Sequence, residues 1–346
     1  MELGEFELIA ALRERVERAG GRPETSRLTV GSGDDAAVSE VAGAVATTVD
    51  AAVEGVHFDR SSTSLRAVGH KALAGALSDL AAMGAKPGEA YVQLGLPETV
   101  SLDECLELAD GIADVAVAHG VAIAGGDVSR APVLMLAMTA VGYAPTATDL
   151  VLRSGARTGE TLAVTGELGG AAAGLLVLRT PELASGIPDG VADELRRRQL
   201  RPEPRIRAGQ ALAAAGATAM IDLSDGLGGD AVHLANASGV AARIELSALP
   251  VAEGVAAVAD AAGLDPFELA TEGGEDYELL AALPAEPLDG ARDALEAIGV
   301  RLTAIGRIAP GDGVQLIDAD GALRTPRGFD QLAVRAPDDP GGPGSA

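Results

Sequence analysis

The chain is poor in lysine, aromatic residues and cysteine, and each shortage excludes something. Of its 26 basic residues only Lys71 and Lys86 are lysines, against 51 Asp and Glu, so the formal net charge is −25. Nucleic acid and anionic membrane surfaces both need a basic patch, so neither is an expected partner. A polyanionic substrate is expected to enter only together with metal cations. Four Phe, three Tyr and no Trp leave the cores to be packed from Ala, Val and Leu with close glycine contacts. The single Cys105 rules out an internal disulfide and a multi-cysteine zinc site. It lies in Leu102-Asp-Glu-Cys-Leu-Glu-Leu, where a half-buried structural thiol on a helix is expected. No uncharged apolar run reaches the roughly 18 residues of a membrane span, and the start, Met-Glu-Leu-Gly-Glu-Phe-Glu, carries no signal region. The expected compartment is therefore cytoplasmic. Also missing are a P-loop lysine, protein-kinase signatures, a Gly-x-Ser-x-Gly elbow and a His-Glu-x-x-His pair.

What the chain has in excess is acid, alanine and glycine. An acidic, Lys-poor, Ala-rich surface suits concentrated salt, where screening removes self-repulsion, and points to a halophilic source, an archaeon. GC-rich codon usage would also enrich Ala, Gly and Arg, but does not by itself produce this charge. With 346 residues, 47% of them hydrophobic, two domains are expected. The boundary is placed in Ala144-Pro-Thr-Ala-Thr148, giving an N-terminal domain over 1–145, a C-terminal α/β domain over 146–335 and a disordered Pro/Gly/Ser tail over 336–346.

Helical spacing is read over Glu5 to Ala19, Leu65 to Met83 and Leu102 to His119, and strands over Ala44 to Val49, Glu89 to Leu96, Val121 to Ala124 and Val133 to Tyr143. The last is long and uncharged, and is expected to build a subunit interface. In the second half, strands at Leu162 to Thr165 and Ala219 to Ile221 each lead into a glycine turn and a helix. The turn before Ala171 presents backbone N–H groups of the kind that hold an anion. Asp318 and Asp320 read as a hairpin turn rather than a calcium loop.

Certain acids stand apart from the solubilising majority, because they end apolar strands or follow glycines. They are Asp34 and Asp35 in Gly31-Ser-Gly-Asp-Asp-Ala-Ala, Asp50 after Thr47-Thr-Val, Asp79 in Ser78-Asp-Leu, Asp127 in Gly125-Gly-Asp, Asp222 and Asp225 in Ile221-Asp-Leu-Ser-Asp-Gly-Leu, and Glu275 and Asp276 in Gly273-Gly-Glu-Asp-Tyr-Glu-Leu. Gathered together they would repel by about 4 kcal/mol per pair at about 4 Å and an effective dielectric near 20, so they need divalent cations between them. Oxygen ligands without a Cys or His cluster select Mg²⁺, Mn²⁺ or Ca²⁺. Metal-assisted phosphoryl transfer is the simplest chemistry for such a set.

Taken in order, these segments, with His57-Phe58, Lys71-Ala-Leu-Ala-Gly-Ala-Leu-Ser-Asp-Leu-Ala-Ala-Met-Gly-Ala and Leu152-Arg-Ser-Gly-Ala, resemble the thiamine-monophosphate kinase family. The resemblance covers roughly residues 3–332. It implies a two-domain α/β fold of the aminoimidazole-ribonucleotide-synthetase type, with an N-terminal sheet forming a dimer barrel and therefore a homodimer. It implies transfer of phosphate from ATP to thiamine monophosphate, with several Mg²⁺ ions and K⁺ as a candidate monovalent ion. Carried over by position, the metal ligands are Asp35, Thr48, Asp50, Asp79, Asp127, Asp222 and Asp225, with Asp127 and Asp222 central to catalysis. The ATP contacts are Gly126, Asp127, Arg153 and Ser224, and the substrate contacts are His57, Glu275 and Phe329. Two positions depart from the family pattern: Val49 stands where relatives offer a hydroxyl, and Pro326 where some place an aromatic, for which Phe329 would substitute. Selenophosphate synthetase resembles the fold but needs a reactive N-terminal cysteine, and the hydrogenase-maturation relative ends in one, whereas this sequence ends Pro-Gly-Ser-Ala. The purine cyclo-ligase lacks these Ser-Asp-Leu-Ala-Ala-Met-Gly and Gly-Gly-Glu-Asp-Tyr-Glu-Leu segments. A noncatalytic acidic cation-binding module would explain the charge, but not the arginine and glycine turns beside the acids.

Overall fold

The computed structural model describes residues 5–20, 27–30 and 37–329. The Gly31 to Ala36 acidic loop, with Asp34 and Asp35, and the 336–346 tail lie outside them. The chain divides into two units, the first built from residues up to Leu80 and from Lys86–Ala147, the second from Ala81–Ala85 and from Thr148 onward.

The first unit runs α1 (Glu5–Arg18), β1 (Leu28–Val30), β2 (Val38–Ser39), β3 (Ala44–Val53), α2 (Leu65–Ala82), β4 (Lys86–Leu96), α3 (Leu102–His119), β5 (Ala122–Arg130) and β6 (Met135–Ala144). Its larger sheet has the order β3-β6-β4-β5, antiparallel except for the β4–β5 pair. α3 begins and ends where the sequence places it. Ser101 and Glu104 form a reciprocal capping box, and Gly120, at φ 66°, closes the helix in the left-handed region. Cys105 is fully buried in this helix, and burial pushes its thiol up to about 11. α2 packs on α3 through two glycines: a Cβ on Gly69 would meet Leu108 O, and one on Gly111 would meet Arg66 O.

Two faces follow from the strand register. One carries Asp50, Met138 and Val92 in a row, with Thr48, Ala140 and Ala90 in the next. Met138, Ala140 and Ala90 are buried, and the Thr48 hydroxyl reaches Asp79 of α2, so this face lies under the helices. The other carries Ala51, Ala137, Gln93 and Asp127 in a row. On it Val45 and Val49 of edge strand β3 are exposed, Val49 at 68%. Strand β6 is therefore internal to the sheet, and Leu136, fully buried on the helix side, belongs to the unit's own core. The exposed apolar side chains of this sheet come instead from β3.

The second unit runs β7 (Thr161–Thr165), α4 (Gly170–Arg179), α5 (Asp189–Leu200), α6 (Ile206–Ala214), β8 (Ala219–Asp222), α7 (Leu227–Ser238), β9 (Ala241–Glu245), α8 (Val255–Ala262), α9 (Pro266–Thr271), β10 (Leu279–Leu283), α10 (Pro287–Glu296), β11 (Leu302–Ala309), β12 (Gly313–Ile317) and β13 (Leu323–Arg324). The strands form one sheet in the order β13-β12-β9-β11-β7-β10-β8, antiparallel except for β12–β9. α7 lays Leu227, Ala231, Leu234 and Ala235 on the sheet, while Ala173, Val177, Leu195, Val255 and Val258 of α4, α5 and α8 form a second core cluster. The turn between β12 and β13 is closed by Asp318, whose Oδ1 accepts from the backbone N–H of Asp320 and Ala322 at 3.0 and 2.9 Å. No helix among the described residues is long and apolar enough to cross a membrane.

Candidate active site

In the first unit the acids fall into two places. Thr48 and Asp50 are two residues apart on β3 and share the face under α2, where the Thr48 hydroxyl donates to Asp79 Oδ2. A carboxylate near the C-terminal end of α2 is badly placed against the helix dipole, and the hydroxyl is a partial remedy. Val49 points to the opposite, open face. A hydroxyl at that position would face away from Asp50, so Thr48 is the side chain that accompanies the acids. Asp127 sits at the other edge of the sheet, in the row of the open face, and its Oδ2 accepts from Gln93 Nε2 at 2.9 Å. β5 does not stop at Ala124 as the glycines suggested but runs through Gly125-Gly126-Asp127 to Arg130. Gly126 is there for close approach: a Cβ at this position would stand 2.0 Å from Val92 O. His57 follows β3 in a turn, with its Nδ1 accepting from Val53 N at 3.1 Å.

In the second unit the two acidic motifs are neighbours. Asp222 ends β8 and pairs with Leu279 of β10. Beyond that pair Leu223 N donates to Glu278 O, Tyr277 N to Leu223 O and Glu275 N to Ser224 O, at 2.8, 2.9 and 2.9 Å. The Gly-Gly-Glu-Asp-Tyr-Glu segment therefore runs alongside Asp222-Leu-Ser-Asp. It fits only because Gly274 lacks a side chain, since a Cβ there would lie 2.4 Å from Ser224 O. Ser224 and Asp225 are partly exposed, whereas Asp222 is buried. Leu152 O accepts from Met220 N of β8 at 3.0 Å, and the charge of Arg153, next in the chain, acts on Asp230 of α7. Phe329 is held to this region by its backbone N–H, which donates to Asp225 O at 2.9 Å.

Sequence reasoning missed Asp230. It lies in the first turn of α7, is 2% exposed, and accepts from Asp225 N at 3.1 Å. Burial, then the charges of Asp222 and Asp225, push its carboxyl up to about 8, with Arg153 acting the other way. The available signal was an acid among small residues, Leu227-Gly-Gly-Asp-Ala, one helical turn after Asp225-Gly. Asp276 also has a different role from the one expected of its neighbourhood. Its carboxylate accepts from Gly169 N at 2.7 Å and Ala171 N at 3.1 Å, so the anion at the start of α4 is the chain's own side chain. Burial pushes that carboxyl up to about 7 against those two donors.

Among the described residues, no three Asp, Glu, His or Cys side chains are grouped so that they alone could hold a metal ion. Mg²⁺ does not require such a cage, because it keeps several waters and takes one or two carboxylates plus phosphate oxygens. The donors here are carboxylate and hydroxyl oxygens, which suit it. Asp222 and Asp230 are buried and Asp225 partly so, and the charges of Asp222 and Asp225 act on Asp230, a set of acids that a divalent cation would suit.

Residues 33–144 match the N-terminal domain of AIR synthase related proteins, and 157–319 match the C-terminal domain. The thiamine-monophosphate kinase of Mycobacterium tuberculosis is 38% identical over 92% of this chain and 89% of its own. That of Salmonella typhimurium is 40% identical over 89% and 91%. Among solved structures, the thiamine-monophosphate kinase of Stenotrophomonas maltophilia superposes with a TM-score of 0.79 at 36% identity, covering 94% of this chain and 99% of that one. AaThiL complexed with AMPPCP and TMP gives 0.73 at 31%, covering 94% and 96%. The hydrogenase maturation protein HypE of Escherichia coli gives 0.72 at 22%, a likeness of fold alone.

Proposed function

The chain belongs to the thiamine-monophosphate kinase family of AIR synthase related proteins, and we propose from this that it transfers the terminal phosphoryl group of ATP to thiamine monophosphate, releasing ADP and thiamine diphosphate. The observation that carries the reading onto this chain's residues is the side-by-side run of its two acidic motifs, with Glu275 N bonded to Ser224 O. A relative complexed with both AMPPCP and TMP supports a nucleotide and a second phosphorylated ligand as the two substrates.

Transfer is direct and in line. The attacking oxygen of thiamine monophosphate is already ionised, so no strong base is needed, and among the described residues no activated Ser, Cys or His nucleophile accompanies the acids. Asp35, Thr48, Asp50, Asp79 and Asp127 in the first unit, and Asp222 and Asp225 in the second, are the groups that hold Mg²⁺. Bound Mg²⁺ supplies neutralisation of the phosphate oxygens, in several ions rather than one, with K⁺ a candidate monovalent ion. Gly126 lets β5 close on Val92 O of β4; the backbone of Gly126 and Asp127 meets the nucleotide, and Arg153 and Ser224 contact its phosphates. His57, Glu275 and Phe329 face the thiamine moiety. The setting is cytoplasmic, in a halophilic archaeon whose salt screens the −25 charge.

The reading is tested by supplying Mg·ATP with either thiamine monophosphate or an aminoimidazole precursor and coupling ADP release to a dye. Turnover with the first alone is expected, and turnover with the second alone would overturn it. A phosphorylated enzyme trapped at a competent rate would overturn direct transfer. The protein acts as a homodimer, joined through the open face of the first unit's sheet where Val45 and Val49 are exposed. Val49→Asp is expected to yield monomers by light scattering, and an unchanged mass would refute that face.

A further inference from the structure

Glu275 and Tyr277 are the only non-glycine residues among those described whose φ is positive, at 69° and 49°. Holding two such residues so close together is costly, and it persists only where the surroundings over-determine it. The surroundings here do so on alternate side chains. Asp276 is fixed by the N–H groups of Gly169 and Ala171. Glu278 is fixed by Arg205, at 2.8 and 2.6 Å, and by the Thr165 hydroxyl at 2.7 Å. Those contacts anchor the backbone but leave the direction of Glu275 to be set. That is done by α5, whose Gln199 donates from Nε2 to Glu275 Oε2 at 2.7 Å.

Gln199 is an expensive way to make this bond. It is 4% exposed, and its Oε1 is buried without a hydrogen-bond partner among the described residues. Turning the amide over would point the oxygen at the Glu275 carboxylate and strand the nitrogen, so the carboxylate fixes its sense. A residue chosen for packing against α4 would be Leu or Met, which carry no orphaned carbonyl. An amide kept at this cost is explained by what its donor does for Glu275.

We propose that Gln199 positions the Glu275 carboxylate for recognition of the thiamine part of the substrate, a proposal that rests on the reading of Glu275 as a substrate contact. Gln199 touches no substrate itself and acts through Glu275. The rigid turn supplies the place of the carboxylate, and the Gln199 bond supplies its orientation.

The test is a double-mutant cycle with separate KM values for thiamine monophosphate and ATP, kcat, and melting temperature. Gln199→Met keeps the volume and removes both the donor and the orphaned oxygen. It is expected to raise KM for thiamine monophosphate about tenfold, the size of one hydrogen bond to a charged group. KM for ATP should stay within twofold, and the melting temperature should be unchanged or higher. Gln199→Glu, which turns the donor into an acceptor, should raise that KM at least as much. Glu275→Gln should also raise it, and adding Gln199→Met to Glu275→Gln should raise it no further. If Glu275→Gln is effective while Gln199→Met and Gln199→Glu are not, or if the effects multiply in the double variant, the positioning role is refuted. If Glu275→Gln leaves KM unchanged, the reading of Glu275 as a substrate contact fails, and the proposal with it.

Discussion

Replacing Arg205 by Met should be among the most damaging single changes in the second unit. The Glu278 side chain is 3% exposed and takes both of its guanidinium bonds from Arg205. The variant leaves the carboxylate with the Thr165 hydroxyl, at 2.7 Å. Removing one partner of a buried pair typically costs about 3–5 kcal/mol, because the other charge stays buried and uncompensated. Met fills much of the volume of the Arg stem, so lost packing is a small part of this. For a unit of this size the loss corresponds to a fall of roughly 10 °C in melting temperature. A second variant separates an unpaired charge from a hole: adding Glu278→Gln to Arg205→Met should recover most of the loss in urea unfolding. A deficit below about 1 kcal/mol, or one equally large in the double variant, would refute the reasoning.

Asp127→Asn keeps size and loses charge, so it should lower kcat by orders of magnitude across a Mg²⁺ titration while the melting temperature stays near that of the parent; near-normal turnover would remove Asp127 from the site. Asp276, whose carboxyl is pushed up to about 7 by burial, has a folded value above its unfolded one. Between about pH 4 and pH 7 the folded state therefore holds a proton that the unfolded state has lost, and stability falls as pH rises through that window. Asp276→Asn should flatten the decline, and a variant that loses stability as steeply as the parent would contradict the assignment. With −25 formal charge, the melting temperature should rise from low to molar KCl by screening and cation binding; a value independent of KCl would count against the halophilic reading.

The parts of the fold that could be read from sequence are those whose ends are written in local chemistry. α3 is bounded by Ser101 with Glu104 and by Gly120, and its limits were readable to the residue. β5 was not, because Gly125-Gly126 looks like a turn when only the chain neighbours are considered. The reason for Gly126 is Val92 O on the adjacent strand, which is distant in sequence. β6, expected at a subunit interface, is internal to the sheet and apolar on both faces: Leu136 is buried beneath the helices, while Ala137 lies on the open face, and an apolar run alone does not say which of its residues would meet a second subunit.

Among the candidate site residues, those carried by glycine-flanked acids were visible, since the glycines and the acids are contiguous in sequence. Residues that act through a contact were not. Asp230 matters because it is buried beside Asp222 and Asp225, and Gln199, in a polar helix that gave no motif, matters because its side chain ends at Glu275. Asp276 shows how a correct signal can be given the wrong owner. The glycine turn before α4 does bind an anion, as its N–H groups require, but Asp276 of the neighbouring motif already occupies it. A ligand phosphate would have to displace a carboxylate held on both oxygens, so the start of α4 serves to fix the Glu275 turn rather than to bind substrate. This division of labour within four residues, with Asp276 and Glu278 turned to the scaffold and Glu275 held by Gln199, makes a positive φ at Glu275 useful: the turn can present one acid only because the acids beside it are tied down.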